Sequence, residues 1–261
     1  MSRPLEGFSI LVTRPEDQAQ TLLSEITKNG GLAVLAPMIV IQSKCDDARA
    51  LDFIKHLKDY TAVIFISKNA VEYGMQLIKS AKQTLANKNV YAVGVGTGAR
   101  LRELGVADVH VPKGEFSSEG LLKMPGLSAH EIEGKHVLII RGAGGRELLA
   151  QSLQQRGASV DYCEVYERVV PDAPLGKVLR AHHITAPDIA IITSPEALTN
   201  LAAKIDSEGL DVLYDVPLMV AGGRTAQEVE RLGFTMDPVV VDNPGDQCVV
   251  DALLRWATDE Q

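Results

Sequence analysis

The sequence predicts an α/β protein made of two parallel sheets, and three observations carry that prediction. Short unbroken apolar runs rich in Val and Ile recur along the chain: SILVT, AVIFIS, VYAVG, HVLIIR, IAIITS and LMVAG. Such runs suit strands buried on both faces of a parallel sheet. Amphipathic stretches such as AQTLLSEITKNGG lie between them and close on glycines that fit helix C-termini. The third observation is that this strand-then-helix plan occurs twice in the same order.

The duplication has a nearly constant offset. ILVTRPEDQAQTLLSEITKNGG (residues 10–31) parallels VLIIRGAGGRELLAQSLQQRGA (137–158), with Arg14 on Arg141 and Gly30 on Gly157, 127 positions apart. AVIFISKNAVEYGMQLI (62–78) parallels IAIITSPEALTNLAAKI (189–205) and sets Ser67 on Ser194 at the same distance. VYAVGVGTGARLRELG (90–105) parallels PLMVAGGRTAQEVERLG (217–233), with Gly94 on Gly222 and Thr97 on Thr225, 128 apart. A constant register across half the chain marks two homologous halves. Alternating strands and helices imply right-handed crossovers, with ligands outside the C-terminal strand ends, where the repeated turns fall.

Two segments interrupt the plan. LAPMIVIQ (35–42) and DYCEVYERV (161–169) follow the first helix of each half with no helix directly after. Pattern alone reads them equally as paired linkers between two lobes or as ordinary second strands.

Composition narrows the function. With 26 Lys and Arg against 34 Asp and Glu the net charge is −8, which disfavours non-specific nucleic-acid binding. An anionic small molecule remains open if backbone dipoles and a few arginines receive it. The N-terminal MSRPLEGFSILVTRP lacks a signal pattern, and no apolar run approaches the ~18 residues of a membrane span. Cys45, Cys163 and Cys248 are widely spaced and odd in number, as expected of reduced thiols in a cytoplasmic protein. The six histidines show no ligand spacing, so no metal is expected, and the His182–His183 pair is expected to face solvent.

The repeated turns admit several readings. Gly94, Gly96 and Ala99 fit GxGxxG/A, but a dinucleotide fingerprint belongs on the first strand of a unit with an acid after the next strand. Here the glycines follow a later strand, Asp108 precedes VHVP, and AGGRTA loses the spacing. Each turn alone reads as a helix start: Ser194-Pro195-Glu196 is an N-cap, a first-position proline and an acid, while Thr225/Glu228 and Asn69/Glu72 have capping-box spacing. Taken together, several helix N-termini supply N–H donors and positive dipole ends to a ligand rich in carboxylates or phosphates.

LVTRP (11–15), VIFISKNAV (63–71), YAVGVGTGARLRELG (91–105), FSSEGLL (116–122), VLIIRGAGGRELLAQSLQQRGA (137–158), VYER (165–168), AIITSPEAL (190–198) and AGGRTAQEVERLGF (221–234), in this order and spacing, resemble the uroporphyrinogen-III synthase family. The resemblance runs from residue 8 to residue 255. It implies two flavodoxin-like parallel-sheet lobes of duplicated origin, joined by a two-stranded β-ladder, with the active site in the cleft between them. One lobe would combine 1–36 with 171–261, the other would span 43–162, and 37–42 with 163–170 would be the linker strands.

It also implies a reaction: hydroxymethylbilane, a linear tetrapyrrole with an acetate and a propionate on each ring, loses water. The last ring then closes through a spirocyclic intermediate and is inverted in uroporphyrinogen III. No cofactor, metal, nucleic acid or membrane is implied, and a monomer is compatible with the acidic surface. By this resemblance Tyr166 assists the leaving hydroxyl, its phenol of pKa ~10 remaining protonated at neutral pH. Tyr162 is a rival without the family match. Substrate carboxylates would meet Ser67, Lys68, Asn69, Thr97, Ser194, Pro195, Gly222, Arg224 and Thr225 through backbone and hydroxyl donors. Arg14 and Arg141, at equivalent strand ends, either face the ligand or form ion pairs within their lobes. Lys68, and GGRT at 222–225, depart from the commonest family wording. The competing readings are a two-lobed anion-binding or sensor protein without chemistry, and a nucleotide-dependent enzyme.

Overall fold

The computed structural model describes residues 3–259. Its chain order is β1 (Ser9–Val12), α1 (Glu16–Lys28), β2 (Leu32–Leu35), β3 (Val40–Ser43), α2 (Ala48–Lys55), β4 (Ala62–Phe65), α3 (Lys68–Ser80), β5 (Asn89–Ala92), α4 (Val95–Glu103) and β6 (Val109–His110). It continues through α5 (Ser118–Leu122), α6 (Ala129–Ile132), β7 (His136–Gly142), α7 (Leu148–Gln155), β8 (Ser159–Val169), α8 (Leu175–Ala181), β9 (Ile189–Ile192), α9 (Pro195–Glu208), β10 (Leu218–Ala221), α10 (Gly223–Arg231), β11 (Val239–Val241) and α11 (Asp246–Asp259). Every residue of β1, β4 and β9 is buried, as expected of strands covered by helices on both faces.

Two compact units result: the chain up to Val40 together with the chain from Val169 on, and Ile41–Arg168. The first holds a five-stranded sheet in the order β11-β10-β9-β1-β2. The second holds a six-stranded sheet in the order β3-β8-β7-β4-β5-β6. Every strand pair from β1 to β11 in the first sheet, and from β8 to β6 in the second, is parallel. Leaving β3 aside, the two orders are one order. Counted from β1 and from β7, both read 2-1-3-4-5, the flavodoxin-like winding, whose strand order reverses between its strands 1 and 3. Each sheet therefore takes its strands 1 and 2 from one half of the duplication and strands 3 to 5 from the other.

The two irregular segments differ from each other. LAPMIVIQ is not one strand. β2 ends at Leu35, and Ala36 and Met38 still donate to the carbonyls of Val12 and Thr13, both at 2.9 Å, before β3 begins at Val40. Pro37, which has no N–H, interrupts the ladder at that point. The second segment lies in one strand of 11 residues. β8 pairs with β7 from Ser159 to Tyr166 across a register shift at Arg141/Gly142, and its other neighbour is β3. It serves as a second strand and as the partner of β3 at once.

Cys163 lies inside β8, fully buried, with its thiol 3.7 Å from the Ala50 carbonyl. Burial pushes the thiol pKa up to about 12, so almost no thiolate forms near neutrality. Cys248 on α11 is exposed. Iodoacetamide at pH 8 is expected to alkylate Cys248 and spare Cys163 in the folded protein. Peptide mass spectrometry showing equal labelling of the two would contradict the packing of β8.

Candidate functional site

Because the strands are parallel, their C-terminal ends gather on one edge of each sheet, and α3, α4, α9 and α10 start there. Where neighbouring strands lead into helices on opposite faces, the edge opens into a crevice. In the second unit that point lies between β7 and β4, in the first between β1 and β9.

In the second unit the chain leaves β4 through Ser67, the N-cap of α3. Its extended backbone lets Oγ accept from the Ala70 N–H at 3.0 Å. The same Oγ shares a 3.0 Å hydrogen bond with the hydroxyl of Tyr166 from β8. The Tyr166 ring is buried, at 3% exposure. It stacks on Tyr73 of α3, with ring centres 6.0 Å apart and planes inclined by 29°. It also passes so close to Gly142 that a Cβ there would sit 2.6 Å from ring carbons, so only glycine fits. Lys68 and Asn69 are the first two residues of α3, and Lys68 is exposed. A Cβ on Gly96 would lie 2.9 Å from the Lys68 Cε, which puts this cation beside the start of α4. Gly94 caps α4 without a side chain, and Thr97 is buried in its first turn. Beside that turn, Val95 and Phe116 are 57% and 54% exposed.

The first unit repeats the plan with different side chains. Ser194 caps α9 by accepting from the Ala197 N–H at 3.1 Å, and Pro195 holds the first helical position. Gly222 caps α10 at φ 77°, a left-handed conformation that favours glycine, and its N–H donates to the Val241 carbonyl at 2.8 Å. Arg224 is exposed on the first turn and carries no ion pair among the described residues, as is also true of Lys68.

Some expectations need correction. Neither Thr225 nor Asn69 is a capping residue. Thr225 is buried and donates to the Ala221 carbonyl at 2.9 Å, while Asn69 lies inside α3 behind the Ser67 cap. Pro195 has no N–H to offer a carboxylate, and its contribution is a φ already suited to the helix. The equivalent arginines are both buried and held within their own units. Arg14 meets the Asp246 carboxylate and the Pro244 carbonyl. Arg141 donates to the Gly142 carbonyl at 3.0 Å, lies 3.4 Å from Glu147 and 3.9 Å from Glu164, and covers the Tyr162 ring at 4.3 Å. Tyr162, beneath that guanidinium, has its phenol pKa raised by burial.

Tyr73, Gly142, Asp246, Glu147 and Glu164 shape these sites, yet no local pattern announced them. Arg14 and Asp246 are 232 residues apart. The GVGTGA turn follows β5, the penultimate strand of its sheet, and so lies away from the crevice where a dinucleotide fingerprint works. A cavity of about 1310 Å³ is lined by residues including Lys79, Leu85, Asn89, Leu104 and Asp108. It opens at the start of β5 and the end of α4, the opposite edge from the helix starts. No group of His, Cys, Asp and Glu that could hold a metal ion occurs among the described residues. Nor is any helix among them long and apolar enough to cross a membrane.

Fold and site together define a duplicated α/β protein whose two flavodoxin-like units each start capped helices at the C-terminal edge of a parallel sheet. A sequence profile described as uroporphyrinogen-III synthase HemD matches residues 20–243. The uroporphyrinogen-III synthase of Salmonella typhimurium is 30% identical over 95% of this chain and 99% of its own length. That of Escherichia coli is 31% identical over 95% and 99%. Among solved structures, a mutant uroporphyrinogen III synthase from Thermus thermophilus shares the fold at a TM-score of 0.62, with 16% identity over 98% of this chain and 100% of that one. The Helicobacter pylori structure aligns at 0.58, with 17% identity over 97% and 100%. The chain belongs to the uroporphyrinogen-III synthase family, enzymes of porphyrin and heme biosynthesis that cyclise hydroxymethylbilane to uroporphyrinogen III.

Two stability tests follow from the capping and pairing. Ser194→Ala removes the side-chain acceptor of α9 and is expected to cost about 1 kcal/mol. Asp246→Ala leaves a buried guanidinium short of its charged partner and is expected to cost about 2 kcal/mol. Urea unfolding measures both, and an Asp246→Ala protein as stable as the parent would show the ion pair to be inconsequential.

Proposed function

We propose that the helix starts of both units receive the eight carboxylates of hydroxymethylbilane, and that Tyr166 assists departure of its hydroxyl. The observation that carries this reading is the twin pair of serine-capped helices, Ser67 and Ser194, each beside the reversal point of its sheet. Backbone N–H groups of Lys68, Asn69, Val95, Gly96, Gly223 and Arg224, the Ser194 hydroxyl and the Lys68 and Arg224 cations form the donor set. A protein of net charge −8 can hold a polyanion this way because the dipoles act locally.

The chemistry asks for little beyond folding the substrate and helping one leaving group. The C–O bond of the hydroxymethyl group breaks with its electron pair on oxygen, and water departs with the proton offered by the phenol. The resulting cationic azafulvene is attacked by the substituted carbon of the last ring, giving a spirocyclic pyrrolenine that fragments and recloses with that ring inverted. The proton shed when the final ring regains aromaticity restores the phenol. Segments 37–42 and 163–170 carry the chain between units, and we place the enzyme in the cytoplasm as a monomer.

With freshly generated hydroxymethylbilane, the oxidised product is expected to be porphyrin isomer III. Isomer I alone, at the spontaneous rate, would refute the activity. Tyr166→Phe is expected to lower kcat by roughly 10- to 100-fold with the fold unchanged by circular dichroism. An unaltered kcat at saturating substrate would remove Tyr166 from the mechanism.

A further inference from the structure

The duplication gives each unit a serine-capped helix at its reversal point, but the two hydroxyls have different surroundings. Ser194 Oγ accepts from the Ala197 N–H and has no side-chain partner among the described residues. Ser67 Oγ accepts from the Ala70 N–H and is also bonded to the Tyr166 hydroxyl. The position 127 before Tyr166 is Ile39, so the first unit has no phenol to match.

A serine hydroxyl has one proton to donate and two lone pairs. The Ala70 N–H takes one lone pair of Ser67. If Tyr166 donated to the other, its own proton would be turned away from any substrate. If Ser67 donates to Tyr166, the tyrosine proton is free. We infer that Ser67 is a positioning residue for Tyr166, its O–H donated to the phenol oxygen, and not a ligand of substrate carboxylate. The inference rests on the assignment of Tyr166 as leaving-group helper.

The arrangement is then a row of donors pointing one way: Ala70 N–H to Ser67, Ser67 O–H to Tyr166, Tyr166 O–H to the departing hydroxyl. Each bond polarises the next, and the row begins at the positive end of α3. As the C–O bond breaks and water leaves with the phenol proton, negative charge gathers on the Tyr166 oxygen, where the Ser67 O–H already points. Gly142 and Tyr73 hold the ring between them, so the phenol oxygen has little freedom to swing away from Ser67.

The test separates donation from helix capping. Ser67→Ala removes both, Ser67→Thr keeps both, and Ser67→Asp keeps an N-cap acceptor but brings no proton at neutral pH. Ser67→Ala and Ser67→Asp are expected to lower kcat about tenfold or more, with KM changed less than about threefold. Ser67→Thr is expected to retain kcat within about threefold. In a Tyr166→Phe background, Ser67→Ala is expected to change kcat by less than about twofold, because its target is gone. If Tyr166→Phe lowers kcat but Ser67→Ala lowers it by its full factor in both backgrounds, the positioning role is overturned and the Tyr166 assignment survives. If Ser67→Asp is as fast as the parent, donation is overturned. If Tyr166→Phe itself leaves kcat unchanged, both assignments fall together.

Discussion

The parallel pairing of strands from opposite halves of the chain is the constraint on which the rest depends. Val12 lies beside Ile191, and Phe65 beside Ile140, in ladders that join segments 179 and 75 positions apart. Thr13 adds a side-chain tie, its hydroxyl donating to the Ile191 carbonyl at 2.7 Å in a fully buried position. Parallel pairing aligns strand ends, and aligned ends put the helix starts side by side. Were strands 1 and 3 of either sheet antiparallel, Ser194 and Ser67 would leave the edge that their neighbours share. The pairing also brings Tyr166 to Ser67, since β8 reaches β4 only through β7.

This geometry resolves an electrostatic difficulty. The chain is acidic, and its two most sheltered arginines at strand ends are already engaged by Asp246 and by Glu147 and Glu164. Under the function proposed above, anion recognition falls to partial charges built into the backbone, together with the exposed cations Lys68 and Arg224. Partial charges at helix ends act over about one turn, so a negative net charge does not cancel them at contact distance. Glycine caps extend the same logic. At Gly94 and Gly222 no side chain occupies the first N–H groups of the helix.

Much of the fold was legible from residue pattern. Val- and Ile-rich runs marked the buried strands, and the 127- to 128-residue offset marked equivalent turns, because both reflect local burial repeated by descent. Ser194-Pro195-Glu196 was readable as a helix start for the same reason: cap, proline and first-turn acid act within four residues. Less was legible wherever a side chain chooses between local and distant partners. Thr225 has capping-box spacing, yet Gly222 takes the cap and the threonine hydroxyl turns back to the Ala221 carbonyl. Pro37 split one extended run into two strands. The burial of Tyr166, and the vacancy at Gly142 that accommodates it, exist only once β8 lies against β7.

In the proposed function, helix-start amides hold the tetrapyrrole carboxylates. Backbone amide NMR of the uniformly nitrogen-15-labelled enzyme, titrated with uroporphyrinogen III under nitrogen, addresses it residue by residue. The largest saturable shifts should fall on Lys68, Asn69, Val95, Gly96, Gly223 and Arg224. Shifts confined to the cavity lined by Lys79, Leu85 and Leu104, with those six amides unmoved, would contradict it.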